Sequence, residues 1–317
     1  MTKKLMGLLI NLFKFPINQI LKFFNYLIIY RSGSAIGDQL LISGTVKLIK
    51  DKYDYKIILF VRYSEFFWYN KNIHTVFRIN NTSLLDKIIL LILKNLKGDR
   101  IKEFLPQKKD QNNKHFLYYH SDQQKSHNAQ VHSQHFGLDL SFTDFKNEIY
   151  FSEKEIEHFK KKLNLPKKYS VIQSISKQNY TKNKEWKVEG MQSIVNNFNN
   201  LNWIQVGKSE EPALSNCRQL FNLDLRELAY VISECEFMVS YEGLFNHISS
   251  CFNKKNFLIH TGFLPVEFAY YKNNILIENN KLINCYPCYN FDCKDHTKLV
   301  NEFLTEEFVI KKISSNI

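Results

Sequence analysis

Apolar positions along this chain fall into short runs that alternate with longer stretches of helical spacing. Residues 25–31 (NYLIIYR) are the first apolar, β-prone run. The turn GSAIGD follows, and over 38–51 the apolar positions Leu40, Leu41, Val46, Leu48 and Ile49 sit at helical intervals. A second run, KIILFVR at 56–62, completes a strand–helix–strand unit of the kind that builds parallel sheets. Residues 84–96 read as a strongly apolar helix and 116–119 (FLYY) as another short strand. The polar stretch 121–135 holds His127, His132 and His135 without regular ligand spacing, and reads as a polar helix face.

The second half repeats the alternation. A charged helix over 153–163 ends at Asn164-Leu165-Pro166. A strand at 169–175, the polar loop SKQNYTKNKEW, a helix at 187–200 and a strand at 202–207 come next. Helices are expected at 210–221, 225–234 and 243–252, strands at 236–241, 256–260 and 274–278, and a closing helix at 298–312. No repeat of 20–50 residues is present. The pattern is α/β: two Rossmann-like, doubly wound parallel-sheet domains over 25–165 and 166–317.

Residues 1–24 stand apart. They carry Lys3, Lys4, Lys14 and Lys22, no acid, and Leu, Ile or Phe at most other positions. Lys14 and Pro16 interrupt the apolar run that a membrane span requires, and no small-residue cleavage site follows it. The segment reads as basic amphipathic helix suited to an anionic membrane surface, or to packing on the protein's own surface. That places the chain in the cytoplasm, peripheral on the inner face of the cytoplasmic membrane.

Composition adds a partner class. Across 317 residues, 43 Lys and Arg face 31 Asp and Glu, a formal net charge of +12. An anionic partner fits, although Lys and Asn are abundant everywhere rather than in one patch. Nucleic acid is not expected, because no compact basic-aromatic module appears. Of six cysteines, Cys217, Cys235 and Cys251 fall in core elements, whereas Cys285, Cys288 and Cys293 form C-x2-C-x4-C. With no secretory signal they read as reduced thiols. The cluster is either a thiol-rich turn or a metal site with His296 as fourth ligand.

Two turns carry candidate chemistry. The opening turn has Gly33 and Gly37 but lacks both G-x-G-x-x-G and the P-loop Lys, since Asp38 follows Gly37. Asp38 either caps the first helix or holds a carboxylate at the carboxyl edge of a sheet, where open α/β folds bind ligands. In 240-SYEGLFNHIS-249 a strand ends in Glu242, then Gly243, then a helix containing His247. Free N–H groups at such a Gly turn suit a diphosphate, and Glu242 suits sugar or ribose hydroxyls. His247 is either a phosphate donor or a core histidine beneath the turn. Lys184 precedes the helix at 187–200, and Trp186 reads as a packing residue.

Four stretches in order resemble glycosyltransferase family 9, the lipopolysaccharide heptosyltransferases and their relatives: GSAIGDQLLISGTVKLIK, KNKEWKVEGMQSIV, LRELAYVISECEFMVSYEGLFNHISSCF and CYPCYNFDC. The likeness spans roughly residues 25–300. It departs from the family pattern where Glu242 replaces Asp, where Gly243 falls one position early, and where Ser43-Gly44 and Val188 replace prolines. The resemblance implies a GT-B fold, two Rossmann-like domains facing across a cleft, with the last helix able to return to the first domain. It implies inverting, metal-independent transfer from a nucleotide-diphosphate sugar, ADP-heptose above all, with no cofactor. It maps the general base to Asp38 and donor contacts to Lys184, Glu211, Glu242, Gly243 and His247, with Ser174 and Thr181 on a further donor loop. The acceptor implied is a lipopolysaccharide, capsule or other surface glycan. A nucleotide-sugar epimerase and a non-catalytic, membrane-associated nucleotide-binding protein are the alternatives.

Overall fold

A computed structural model describes residues 3–33, 35–80, 82–104, 127, 129, 135–138, 145–176, 181–279 and 285–317, with side chains from Phe13 onward. The strand expected at 116–119, His132 and residues 177–180 of the polar loop lie outside these residues. Among the described residues, 3–104, Ala129, 135–138 and 147–150 form one compact unit, and His127, 145–146 and 151–317 form the other.

In the first unit, α1 (Lys3–Phe23) leads into β1 (Tyr26–Tyr30), α2 (Ile36–Tyr53), β2 (Lys56–Val61), β3 (Thr75–Arg78), α3 (Leu84–Asn95) and β4 (Ile101–Glu103). The four strands pair in parallel in the order β3–β2–β1–β4. The first strand, YLIIY, is apolar along its length because both faces are covered, the hallmark of parallel sheets. Leu90 and Leu93 of α3 pack with Tyr30, Ile79 and Ile101, and Ile17 and Leu21 of α1 join them. The outward faces of these two helices stay apolar. Phe13, Phe15, Ile20 and Phe23 of α1 and Leu84, Leu85, Ile88 and Leu91 of α3 are exposed. No helix among the described residues is long and apolar enough to cross a membrane.

The second unit runs α4 (Glu153–Leu163), β5 (Ser170–Ile172), α5 (Val188–Asn197), β6 (Trp203–Gly207), β7 (Cys217–Phe221), α6 (Leu225–Glu234), β8 (Phe237–Tyr241), α7 (Leu244–Cys251), β9 (Lys255–Ile259), β10 (Asn274–Ile277), α8 (Lys294–Phe303) and α9 (Glu306–Ser314). Reciprocal capping boxes start α4 at Ser152 and Glu155 and α6 at Asp224 and Glu227. The parallel sheet has the order β10–β9–β8–β5–β6–β7. The chain leaves β5 toward one edge through β6 and β7, then crosses back to place β8 against the other side of β5. The gap between the ends of β5 and β8 is therefore the topological switch point, where open α/β sheets take ligands.

Three expectations need correction. Residues 210–221 are not a helix: a loop precedes β7, an edge strand whose pattern CRQLF lacks an apolar stripe of either period. The closing helix is two helices broken at Leu304-Thr305, with Thr305 capping the second through Phe308 N. Nor does the last helix leave for the first domain. Val309 and Ile313 are buried in the core of the second unit with Val195 and Phe237, and Lys187 pairs with Glu306 at 2.6 Å.

Candidate functional site

Buried polar chemistry collects at the carboxyl edge of the second sheet. Glu242 follows β8 directly, and its Oε1 lies 2.8 Å from the Lys184 ammonium, with both side chains largely buried. Its Oε2 is buried and takes no hydrogen bond among the described residues. Burial alone would raise the Glu242 carboxyl, but Lys184, and then His260, pull it below the usual carboxylate range, so it is ionised at neutral pH. The Lys184 ammonium also sits 5.3 Å from the centre of the Phe263 ring.

Lys184 is held in place by the segment that carries it. It ends a single 3-10 turn, Lys182–Lys184, capped by the Thr181 side chain through Asn183 N. Just beyond it, Trp186 is buried, as expected of a packing residue. Its backbone N–H and carbonyl both bond the Tyr241 hydroxyl, at 3.3 and 3.2 Å. Tyr241 is the last residue of β8, so one phenol ties the Lys184 segment to the strand that presents Glu242.

Gly243 then opens α7 with φ 132° and ψ −150°, a conformation that disfavours any side chain. Among the described residues, a Cβ built there meets nothing within 4 Å. None of their side chains caps α7, so the first N–H groups of the helix keep no side-chain partner among them. A Gly turn, uncapped N–H groups, an ammonium and an open volume are the elements of an anion site.

His247 is buried one turn into α7, with Nδ1 2.6 Å from the Tyr271 hydroxyl. Burial, reinforced by Lys184, pushes its pKa down to about 4, so the ring is neutral and supplies no positive charge to a phosphate. His127 stacks edge-on against Tyr271 with ring centres 4.9 Å apart, and burial lowers it to about 3. Below them is a network that sequence reasoning missed. The Asn246 side-chain oxygen accepts from Asn256 at 3.0 Å and Asn274 at 2.8 Å, and its amide donates to Ala269 O at 2.6 Å. This asparagine ladder pins α7 to β9 and β10. Its only sequence signal is an Asn in each of three elements, α7, β9 and β10.

The remaining candidates of this unit are placed differently. Ser174 is fully buried and its hydroxyl accepts from Gln205 at 2.9 Å, bracing β5 against β6. The Thr181 hydroxyl donates to Phe291 O at 2.6 Å. Glu211 follows β6 on the same edge. Its carboxylate folds over Gly207, where any Cβ would collide with it, and desolvation raises its pKa to about 7, with Glu185 adding to the rise. Cys285, Cys288 and Cys293 bring their sulfurs within 4.8 Å of one another.

Asp38 belongs to the first unit. The N-cap of α2 is Ala35, so Asp38 lies inside the first turn and is not the capping residue. Its Oδ2 accepts from Arg31 at 3.1 Å; the Arg31 side chain is 3% exposed and that of Asp38 33%. Arg31, the residue after β1, was not singled out in the sequence. A Cβ on Gly33 would lie 2.6 Å from Arg31 Cζ, so the glycine lets the guanidinium fold back over the turn. Gln39 sews the same turn to the end of β2, donating to Gly33 O at 3.0 Å and accepting from Arg62 N at 2.9 Å.

No family model and no curated protein sequence matches the chain. Solved structures do match its fold. A glycosyltransferase family 9 protein from Veillonella parvula DSM 2008 is 11% identical over 92% of this chain and 97% of that one, with a TM-score of 0.61. The ADP-heptose lps heptosyltransferase II of E. coli is 11% identical over 89% and 99%, with a TM-score of 0.58. The iron-containing dodecameric glycosyltransferase TibC of enterotoxigenic E. coli H10407 is 12% identical over 92% and 76%, with a TM-score of 0.63. At such identities the shared property is the fold: this chain has the two-domain, Rossmann-like GT-B fold of the family 9 glycosyltransferases.

Proposed function

We propose that the protein is a glycosyltransferase that moves a sugar, heptose from ADP-heptose being the expected donor, onto a lipopolysaccharide, capsule or other surface-glycan acceptor. The observation that carries this reading is the site at the switch point, where Lys184, the open Gly243 turn and the buried, ionised Glu242 converge. An ammonium and uncapped N–H groups suit the diphosphate. The Glu242 oxygen without a hydrogen bond suits a donor hydroxyl, since a buried acceptor left unpaired is costly. Neutral His247 then acts in the packing beneath the turn rather than as a charge on the phosphate. The fold agrees with this chemistry, and heptosyltransferase II shares it.

The reaction follows as one displacement. Asp38 takes the proton of an acceptor hydroxyl, whose oxygen attacks the anomeric carbon as the bond to the nucleoside diphosphate breaks. Inversion results. The negative charge that builds on the leaving diphosphate falls on Lys184 and the N–H groups after Gly243, which supply the positive field without a metal at the reacting centre. Arg31 holds the Asp38 carboxylate in place. Asp38→Asn should cut transfer by about 100-fold or more while ADP binding, measured by calorimetry, stays near wild type. Near-normal turnover of the variant would remove Asp38 from the mechanism.

The apolar outer faces of α1 and α3, rimmed by Lys14, Lys22, Lys87 and Lys94, are proposed to rest on an anionic membrane where a lipid-linked acceptor is met. This would keep the protein on the inner face of the cytoplasmic membrane. Replacing Phe15 and Phe23 with Ser should weaken sedimentation with vesicles containing phosphatidylglycerol. Equal sedimentation of variant and wild type speaks against it.

A further inference from the structure

The cysteines of the second unit divide into two kinds. Cys235 and Cys251 are buried singly in the core. Cys285, Cys288 and Cys293 are half-buried in one loop, unoxidised, and converge with their sulfurs within 4.8 Å of one another. His296 lies beside Cys285 at the edge of the group. It is buried, its Nδ1 is 3.5 Å from Cys285 Sγ, and its backbone N–H lies 3.4 Å from Cys293 Sγ. Backbone carbonyls of Asn183 and Thr261 flank the ring. Packing alone gathers thiols against apolar neighbours; this loop instead turns them toward one another.

We propose that Cys285, Cys288, Cys293 and His296 hold one soft divalent metal ion, Zn2+ or Fe2+, as a structural knuckle. Metal–sulfur bonds of about 2.3 Å in a tetrahedron place the sulfurs about 3.8 Å apart, so the thiols need draw in by only about 1 Å. Three thiolates and an imidazole select such ions over Mg2+ or Ca2+. On binding, the three thiols release their protons to solvent, and the neutral imidazole bonds through Nδ1. The ring's other nitrogen is buried without a hydrogen bond among the described residues, and the Asn183 or Thr261 carbonyl would be the outer partner that a ligating histidine requires. The ion takes no part in bond making.

Its place in the fold gives it a task. Cys288 N donates to Gly262 O at 3.0 Å and Tyr289 N to Phe263 O at 3.1 Å, fastening the knuckle to the loop after β9. Asn183 is the link to the anion site. Its amide donates to Asn290 O at 2.5 Å, its side-chain oxygen accepts from Thr297 at 2.6 Å, and its carbonyl accepts from Thr261 at 2.6 Å. The next residue is Lys184. Closing the knuckle therefore fixes the short turn that aims the ammonium, which makes the four ligands positioning residues.

The existence of the metal site stands independently of the sugar-transfer reading, and its first test involves no nucleotide. Full-length protein purified under reducing conditions should contain about one equivalent of zinc or iron per chain, elemental analysis deciding which. Protein stripped of metal should take up Co2+ with a near-ultraviolet thiolate charge-transfer band. Cys288→Ser and Cys293→Ser should lose the metal, while Cys235→Ser retains it. Reduced wild-type protein that neither carries metal nor takes up Zn2+ or Co2+ overturns the site, and that arm needs no variant to fold. For the link to Lys184, stripping the metal should weaken ADP binding at least tenfold, with recovery on adding Zn2+. Unchanged ADP affinity would overturn the positioning role while leaving the metal site in place.

Discussion

The two sheets of this protein end in two turns built from similar parts to different purposes. Each follows an apolar strand, contains a glycine and starts a helix. In the first, Gly33 makes room for the protein itself: Arg31 folds over it and clamps Asp38, which stays one-third exposed. In the second, Gly243 leaves room open, since no described residue lies within 4 Å of where its side chain would be. The surroundings differ in the same sense. Asp38 meets solvent beside one cation, whereas Glu242, Lys184, His247 and His260 form a desolvated cluster in which each charge depends on its neighbours. One turn presents a carboxylate; the other gathers an ammonium, a buried carboxylate and an uncapped helix start.

Lys184→Met probes the desolvated side most severely. It leaves the Glu242 carboxylate buried without its cation, and should cost about 3 kcal/mol of stability in urea denaturation. ADP binding should fall with it. Adding Glu242→Gln should restore much of the stability but none of the ADP affinity, separating the structural role of the pair from its binding role. Restored affinity would mean that Lys184 is structural alone.

The two glycines give a smaller and sharper contrast. Gly243→Ala forces φ 132° on an alanine and intrudes on the open volume, so stability should fall by about 1–3 kcal/mol and ADP affinity should fall too. Gly33→Ala should displace Arg31 and reduce transfer while leaving ADP binding unchanged. If the two variants behave alike, the two turns do not differ as described.

The smallest effect is on pH dependence. His127 and His247 have pKa values lowered to about 3 and about 4 by burial, from the ordinary histidine value of 6.5. Below pH 6.5 the unfolded chain takes protons that the fold refuses, so stability should decline as pH falls from about 6.5 toward 4, by up to about 1.4 kcal/mol per pH unit for each ring. His247→Asn should flatten the slope. An unchanged slope would mean that the ring is charged in the folded state.

Much of the frame is legible in the chain. Buried parallel strands are apolar throughout and end at turn residues, so β1, β2, β6 and β8 can be read within a residue or two. Three of the four edge strands are not so marked. β3 (TVFR), β4 (IKE) and β7 (CRQLF) are short and half-polar, and only pairing with a neighbour makes them strands. At the site, Lys184, Glu242 and Gly243 stand out because each sits at a strand–helix junction. Arg31 shows no such mark, since a cation after a strand is ordinary until Asp38 is seen against it. Ser174 reads as part of a donor loop and His247 as either a phosphate donor or a core histidine; the side chains they bond, Gln205 and Tyr271, come from distant segments.

What the sequence determined by itself is the alternation of apolar runs and helical spacing, the acid and glycine at each turn, and the cysteine spacing, all of them local properties that backbone sterics and burial impose directly. What the tertiary structure decided is every relation between distant residues: the pairing of Lys184 with Glu242, the neutrality of His247, the seam of Asn246, Asn256 and Asn274, and the meeting of three sulfurs with His296. Charge state and ligand geometry depend on desolvation and on distances of a few ångströms, and neither exists until the chain has closed around them.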